Sequence, residues 1–142
     1  MSRLVVPSVT IASPINNGAS TTIIGRGLRA YDRVMVEADL VGTSAGTLDV
    51  CLQRSFDGST FSDWARFKQL AAGAAAVTYN VSPVDTGDIV PVGRSATAIT
   101  IGPDKIVGGP VGDQLRVLMV GAGGTCGSAN QTFRVHAWSA DK

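Results

Sequence analysis

Charge is scarce in this 142-residue chain: Asp, Glu, Lys and Arg together make up 16% of it, against roughly 25% in an average soluble protein. There is one Glu, Glu37, and only three Lys, so two of the better helix formers are nearly missing and long helices are not expected. The formal net charge is +1 and no run of Lys or Arg occurs, which leaves no electrostatic footprint for nucleic acid or an anionic membrane; neither partner is expected. No apolar stretch is long enough to span a bilayer as a helix. Leu4, Val5 and Val6 stop at Pro7, too short for the apolar segment of a signal peptide. With two cysteines, Cys51 in a strand pattern and Cys126 in a Gly-rich stretch, a disulfide is possible but not implied, and reduced thiols are expected. Their separation offers no metal-ligand spacing, and neither metal nor cofactor is expected.

What the chain does have is Gly, 17 residues of it, with frequent Val, Thr, Ile and Ser. That is the composition of an all-β domain. A surface poor in Lys and Glu also suits a subunit held among neighbours, since both residues are depleted at protein interfaces. The length fits one domain able to bury a core between two sheets. Residues 1–20 read as an extended N-terminal arm, with Val5, Val9, Ile11 and Ile15 interrupted by Pro7, Pro14 and Gly18; it is either an edge strand or a clasp on a neighbour. Residues 21–142 read as a single β-sandwich. Thr21 to Gly25 is a short strand. Arg33 to Val41 alternates Val34, Val36, Ala38 and Leu40 against polar neighbours, and Leu48, Val50 and Leu52 do the same. Asp57-Gly58 is a hairpin turn that returns the chain as Trp64 to Leu70, so Arg33 to Leu70 is expected to form a three-strand meander. Ala71 to Ala76 reads as a loop or single turn, and Val77 to Val81 as a strand ended by Pro83. Further strands are expected at Asp88 to Val92, Ala96 to Ile101, Gln114 to Val120 and Gln131 to Ser139, with Gly102 to Gly112 a loop long enough to make contacts. About eight or nine strands at this spacing predict an antiparallel sandwich, a jelly roll first and an immunoglobulin-like topology second.

No residue set demands a reaction, and no enzymatic activity is expected. Asp85-Thr86-Gly87 matches the catalytic triplet of aspartic proteases, and Ile23-Ile24-Gly25-Arg26 resembles a segment of retroviral proteases. In that family the second segment follows the first; here it precedes it, so the triplet reads as a turn. His136 is the single histidine and takes no catalytic role. Trp64 and Trp138 could form a sugar-binding surface, though core or interface packing is the plainer reading of such apolar side chains. Asp57, Asp85, Asp88 and Asp104 stand near Gly or Pro, where Asp serves turns. Gly121 to Thr125 lacks the Gly-Lys-Ser/Thr of a phosphate loop.

One stretch carries a family likeness. Leu48-Asp49-Val50-Cys51-Leu52-Gln53-Arg54-Ser55, Asp57-Gly58, Asp63-Trp64 and Phe67-Lys68-Gln69-Leu70 resemble a hairpin of small structural proteins of tailed bacteriophages, usually Leu-Asp-Val-x-Leu-Gln-x-Ser-x-Asp-Gly, then Trp-x-Asp and Phe-x-Gln-Leu. Here Asp63 precedes Trp64 instead of following an aromatic. The resemblance covers about a sixth of the chain and implies a virion component, most like a capsid cement (decoration) protein. It implies binding to the major capsid protein, a homo-oligomer (dimer or trimer), assembly in the host cytoplasm and a place on the capsid surface. Contacts are expected from Val5 and Val9 in the arm, Ile106 and Val107 in the long loop, and Trp138 near the C-terminus. The alternative is a carbohydrate-binding or host-recognition module of a phage tail or fibre.

Overall fold

The computed structural model describes residues 2–5, 7–12, 18–42, 45–83, 93–123 and 129–139. They form eleven strands: β1 (Ser2–Val5), β2 (Val9–Ala12), β3 (Gly18–Gly25), β4 (Arg33–Leu40), β5 (Thr47–Ser55), β6 (Ser62–Arg66), β7 (Leu70–Ala71), β8 (Val77–Val81), β9 (Lys105–Ile106), β10 (Gln114–Ala122) and β11 (Asn130–Ser139). A short 3-10 turn spans Leu28–Ala30. One sheet runs β1-β11-β4-β8 with β2 also on β11; the other runs β3-β10-β5-β6-β9 with β7 on β5. All pairings are antiparallel. The protein is an antiparallel β-sandwich.

Alternation decides which side chains meet between the sheets. Val36, Ala38 and Leu40 of β4 and Phe133, Val135 and Ala137 of β11 face Leu48, Val50 and Leu52 of β5 and Leu115, Val117 and Met119 of β10, all nearly inaccessible to water. Each of the larger ones contributes about 1.5–3 kcal/mol by leaving water. At the β5–β6 pairing Gln53 sits opposite Asp63 and Leu52 opposite Ala65, so Trp64 is the extra residue of a bulge. The bulge turns the Trp64 ring into the core, where it is fully buried.

The hairpin turn forms as its residues dictate. Asp57 Oδ1 accepts from the backbone N–H of Ser59 (2.9 Å) and Thr60 (2.7 Å) and from Ser55 Oγ (3.0 Å). Gly58 takes φ +80°, which a β-carbon would strain. These bonds hold the Asp57 carboxyl well below the usual carboxylate range, the Thr60 and Ser59 amides first.

Three expectations are corrected. Arg33 to Leu70 is not a meander: β4 pairs with β11 and β8, while β5 pairs with β10, β6 and β7 in the opposite sheet. Alternation fixes the face a strand buries, not its neighbour, and β4 and β5 bury their apolar faces in one core from opposite sides. The crossing starts where buried Gln131 holds Val41 like a strand partner, Oε1 accepting from its N–H (2.7 Å) and Nε2 donating to its carbonyl (2.8 Å). Ala96 to Ile101 is not a strand. Ser95 Oγ accepts the amides of Thr97 (3.0 Å) and Ala98 (3.1 Å), and Asp63 Oδ2 accepts that of Thr100 (2.8 Å), so side chains take bonds a sheet neighbour would need. Within Gly102 to Gly112, Lys105–Ile106 pairs with β6 as β9. The strand expected at Asp88 to Val92 lies outside the described residues. In the N-terminal segment, β1 and β2 run along successive parts of β11, Val5 opposite His136 and Val9 opposite Phe133, and β3 begins at Gly18, inside the span expected as an arm.

Candidate contact surfaces

The two sheets turn different outer faces outward. On the β5 sheet, the outward positions Cys51, Gln53 and Ser55 are as inaccessible as the core: the first part of residues 93–112 lies across Cys51 and Gln53 as a strap before Lys105–Ile106 joins the sheet as β9, and Ser55 is enclosed in its own turn by Asp57 and Gly58. Residues of the hairpin hold it there. Gln53 Nε2 donates to Asp63 Oδ1 (2.7 Å) and to the Ser95 carbonyl (2.9 Å), while Arg116 Nε donates to Gln53 Oε1 (2.7 Å). Asp63 spends its second carboxylate oxygen on the Thr100 amide, and its own N–H donates to the Gly93 carbonyl (2.8 Å). Gly93 lies so close that a β-carbon there would fall on Thr100 Oγ1 and within 3.0 Å of Asp63 Oδ2.

Two more arginines tie the strap further along. Arg66 Nη1 donates to the Ile101 carbonyl (2.9 Å) and Nη2 to Asp49 Oδ1 (2.8 Å), whose Oδ2 accepts from Gln69 Nε2 (2.9 Å). Arg54 Nη1 donates to the carbonyls of Gly108 (3.1 Å) and Pro110 (2.6 Å). Multiple donors on a planar guanidinium suit Arg to holding backbone carbonyls. Burial lowers the pKa of Arg54 and Arg116, and the Asp63 charge opposes that shift at Arg116. Arg116 also lies 4.3 Å from the centre of the Phe61 ring. Beneath the strap, Cys51 packs with Ile101 and Leu118. Burial, then the Asp63 charge, pushes its thiol up, so it is no nucleophile in the folded protein.

The outer face of the β4 sheet is polar and partly open. Arg134 Nη1 lies 2.9 Å from Asp39 Oδ2 and 3.6 Å from Glu37 Oε2, and Thr78 Oγ1 donates to Asp39 Oδ1 (2.7 Å). These groups are over one-third exposed or nearly so, and such pairs contribute at most about 1 kcal/mol. The Thr78 and Arg134 bonds keep the Asp39 carboxyl below its usual range. His136 Nε2 lies 3.5 Å from Glu37 Oε2, and its ring stacks on Trp138 with 5.9 Å between centres. Beside Trp138 opens a cavity of about 380 Å³ lined by Asp32, Arg33, Val34, Met35, Ser82 and Pro83.

The residues expected at contacts fall in separate places. Val5 is at a backbone position on the β1 edge, and Val9 is half-buried against the core. Ile106 and Val107 belong to the strap: both pack on the core, and Val107 N–H donates to the Trp64 carbonyl (2.7 Å). Trp138, half-buried, lines the cavity of about 380 Å³, and Ile106 lines a second one of about 390 Å³ together with Phe67, Tyr79 and Val81. Trp64 is fully enclosed, which removes it from any sugar-binding surface. Asp85 to Gly87 and Cys126 lie outside the described residues. Among the described residues no group of three or more His, Cys, Asp or Glu could hold a metal, and no helix is long and apolar enough to cross a membrane. Reading the residues one by one missed the Gln53–Asp63–Arg116 cluster; the signal for it was polar side chains at outward positions of the strongest hairpin. Comparison of the chain with protein-family models, curated proteins and solved structures gives no match.

Proposed function

We propose that this protein is a structural virion component, a capsid cement subunit that binds the major capsid protein and stabilises the shell from its outer surface. The observation that carries the reading is the hairpin. The residues that resemble those of phage structural proteins are the ones that build the strapped sheet: Leu48, Val50 and Leu52 fill the core, Asp57-Gly58 turns the chain, and Gln53, Arg54 and Asp63 fasten residues 93–112. A loop fastened by several side chains presents its surface already ordered, so docking loses less conformational entropy. Repetition of a modest contact around a symmetric shell then makes release of the subunits cooperative.

The action is mechanical. A stiff sandwich seated across a junction between capsid subunits resists their separation under internal genome pressure. Stripping the protein from particles and adding it back tests this. The shell is expected to rupture at a lower temperature when stripped and to recover on add-back; equal rupture temperatures overturn the proposal. The rival, a glycan-recognising tail or fibre module, draws on the Trp138 cavity. Binding of the isolated protein to a glycan array, abolished by Trp138→Ala, would favour that module.

A further inference from the structure

The geometry points to a second site of association: the open edge of β3, which pairs with the β3 edge of a second copy of this chain and joins two β5 sheets into one. β3 ends its sheet, and among the described residues it hydrogen-bonds as a strand to β10 alone. Its outer backbone edge is therefore a row of donors and acceptors that a further strand can satisfy. Edges are normally blunted by charge, proline, bulges or brevity; β3 carries a register shift at Ile24, where Leu115 stands opposite Gly25 and Arg116 opposite Ile23, but Gly18-Ala19-Ser20-Thr21-Thr22-Ile23 before it is an unbroken, uncharged run, roughly 20 Å at strand rise. The other edges are poorer templates. β9 has two residues, β8 has five, and β1 and β2 are separated around Pro7.

A second copy fits this edge better than a foreign strand for two reasons. An uncharged strand meets itself without repulsion, and the adjoining Arg26 side chains fall at opposite ends of an antiparallel pair. Pairing about a two-fold axis also closes, whereas β3 joined to a different edge of the next copy would propagate without limit. The symmetry restricts the register. An axis perpendicular to the sheet keeps each face continuous, so opposed residues share a face, and within the regular run the central pair is Ser20 with Ser20 or Thr21 with Thr21. Hydroxyl side chains opposite each other are a favourable cross-strand pair in either case. The outward face continues across the joint through Ala19 and Thr21, both exposed. This dimer does not depend on a virion setting.

Sedimentation equilibrium of the full chain tests it. The wild type is expected to show the mass of two chains at high micromolar concentration. Thr21→Lys places two like charges opposite or diagonal to each other in either register and is expected to weaken the dimer about tenfold. Thr21→Glu should do the same, and an equimolar mixture of the two variants should regain the two-chain mass. A wild type that remains a single chain, an open-ended polymer, or a dimer as strong in Thr21→Lys as in wild type overturns the inference. Should the variants fail to fold, amide exchange on the wild type decides: the β3 amides slow as concentration rises if the edge pairs, and the pairing is refuted if they do not.

Discussion

Replacing Asp63 with Ala removes the carboxylate on which the strap converges. Its oxygens accept from Gln53 Nε2 at 2.7 Å and from the Thr100 amide at 2.8 Å; Asp63 and Gln53 are closed to water, while Thr100 lies on the exposed side of the strap. In the variant Gln53 Nε2 keeps the Ser95 carbonyl, but the Thr100 amide loses its acceptor and Arg116 loses a nearby opposite charge. A hydrogen bond to a charged group contributes about 1.5–3 kcal/mol, and removing one partner of a buried charged network costs about 3–5 kcal/mol. Against a total stability of about 5–15 kcal/mol, that loss lowers Tm by roughly 10–20 °C for a chain of this size. Calorimetry reads the global effect. Amide exchange locates it: Thr100 should exchange faster in the variant, ahead of the core amides of β5 and β10. Asp63→Asn keeps the shape but turns an NH2 toward a donor, and should fall between the two. A Tm within about 2 °C of wild type, with Thr100 protected as before, would refute the claim that Asp63 fastens residues 93–112.

Three further outcomes follow from the same geometry. Trp64 is fully buried and its Nε1 has no hydrogen-bond partner among the described residues, so Trp64→Phe should cost far less in urea unfolding than Trp64→Ala, which should lose about 3–5 kcal/mol. Because the folded Asp57 carboxyl titrates below its ordinary 3.8, its stabilising contribution is complete above that value and fades as pH falls from it toward the folded pKa. The stability difference between wild type and Asp57→Ala should accordingly be flat from neutral pH to about pH 5 and shrink below about pH 4; a constant difference down to acid would contradict the turn's bonding. Cys51, buried with its thiol pushed up, should resist a thiol reagent in a Cys126→Ser background until the protein unfolds, and prompt labelling would contradict its enclosure.

The strands that form the core were readable in the sequence because one face of each meets apolar side chains and the other does not. Val34 to Leu40 and Leu48 to Leu52 alternate, and both segments bury the expected face. Alternation carries no information on which strands adjoin, and that is why β4 and β5 looked like neighbours while standing in opposite sheets. The strap was hidden for a related reason. Gln53, Ser55 and Asp63 are polar and occupy positions that alternation assigns to solvent, yet all three are buried, Gln53 and Asp63 under the segment that carries Ser95 and Thr100 and Ser55 within its own turn. Burial of polar groups is permitted only when each finds a partner, and those partners are supplied by a segment some forty residues away for Ser95 and Gln53. The β-branched run Ala96 to Ile101 is no strand for a similar reason, since its propensity is overridden by hydrogen bonds to the neighbouring Ser95 hydroxyl and to the distant Asp63 carboxylate.

The central claim concerns where the protein acts, and cryo-electron microscopy of the native particle tests it most directly. Density for the sandwich is expected on the outer surface of the shell, seated across junctions between major capsid protein subunits. Density confined to the tail, or particles that lack the protein altogether, would contradict that placement.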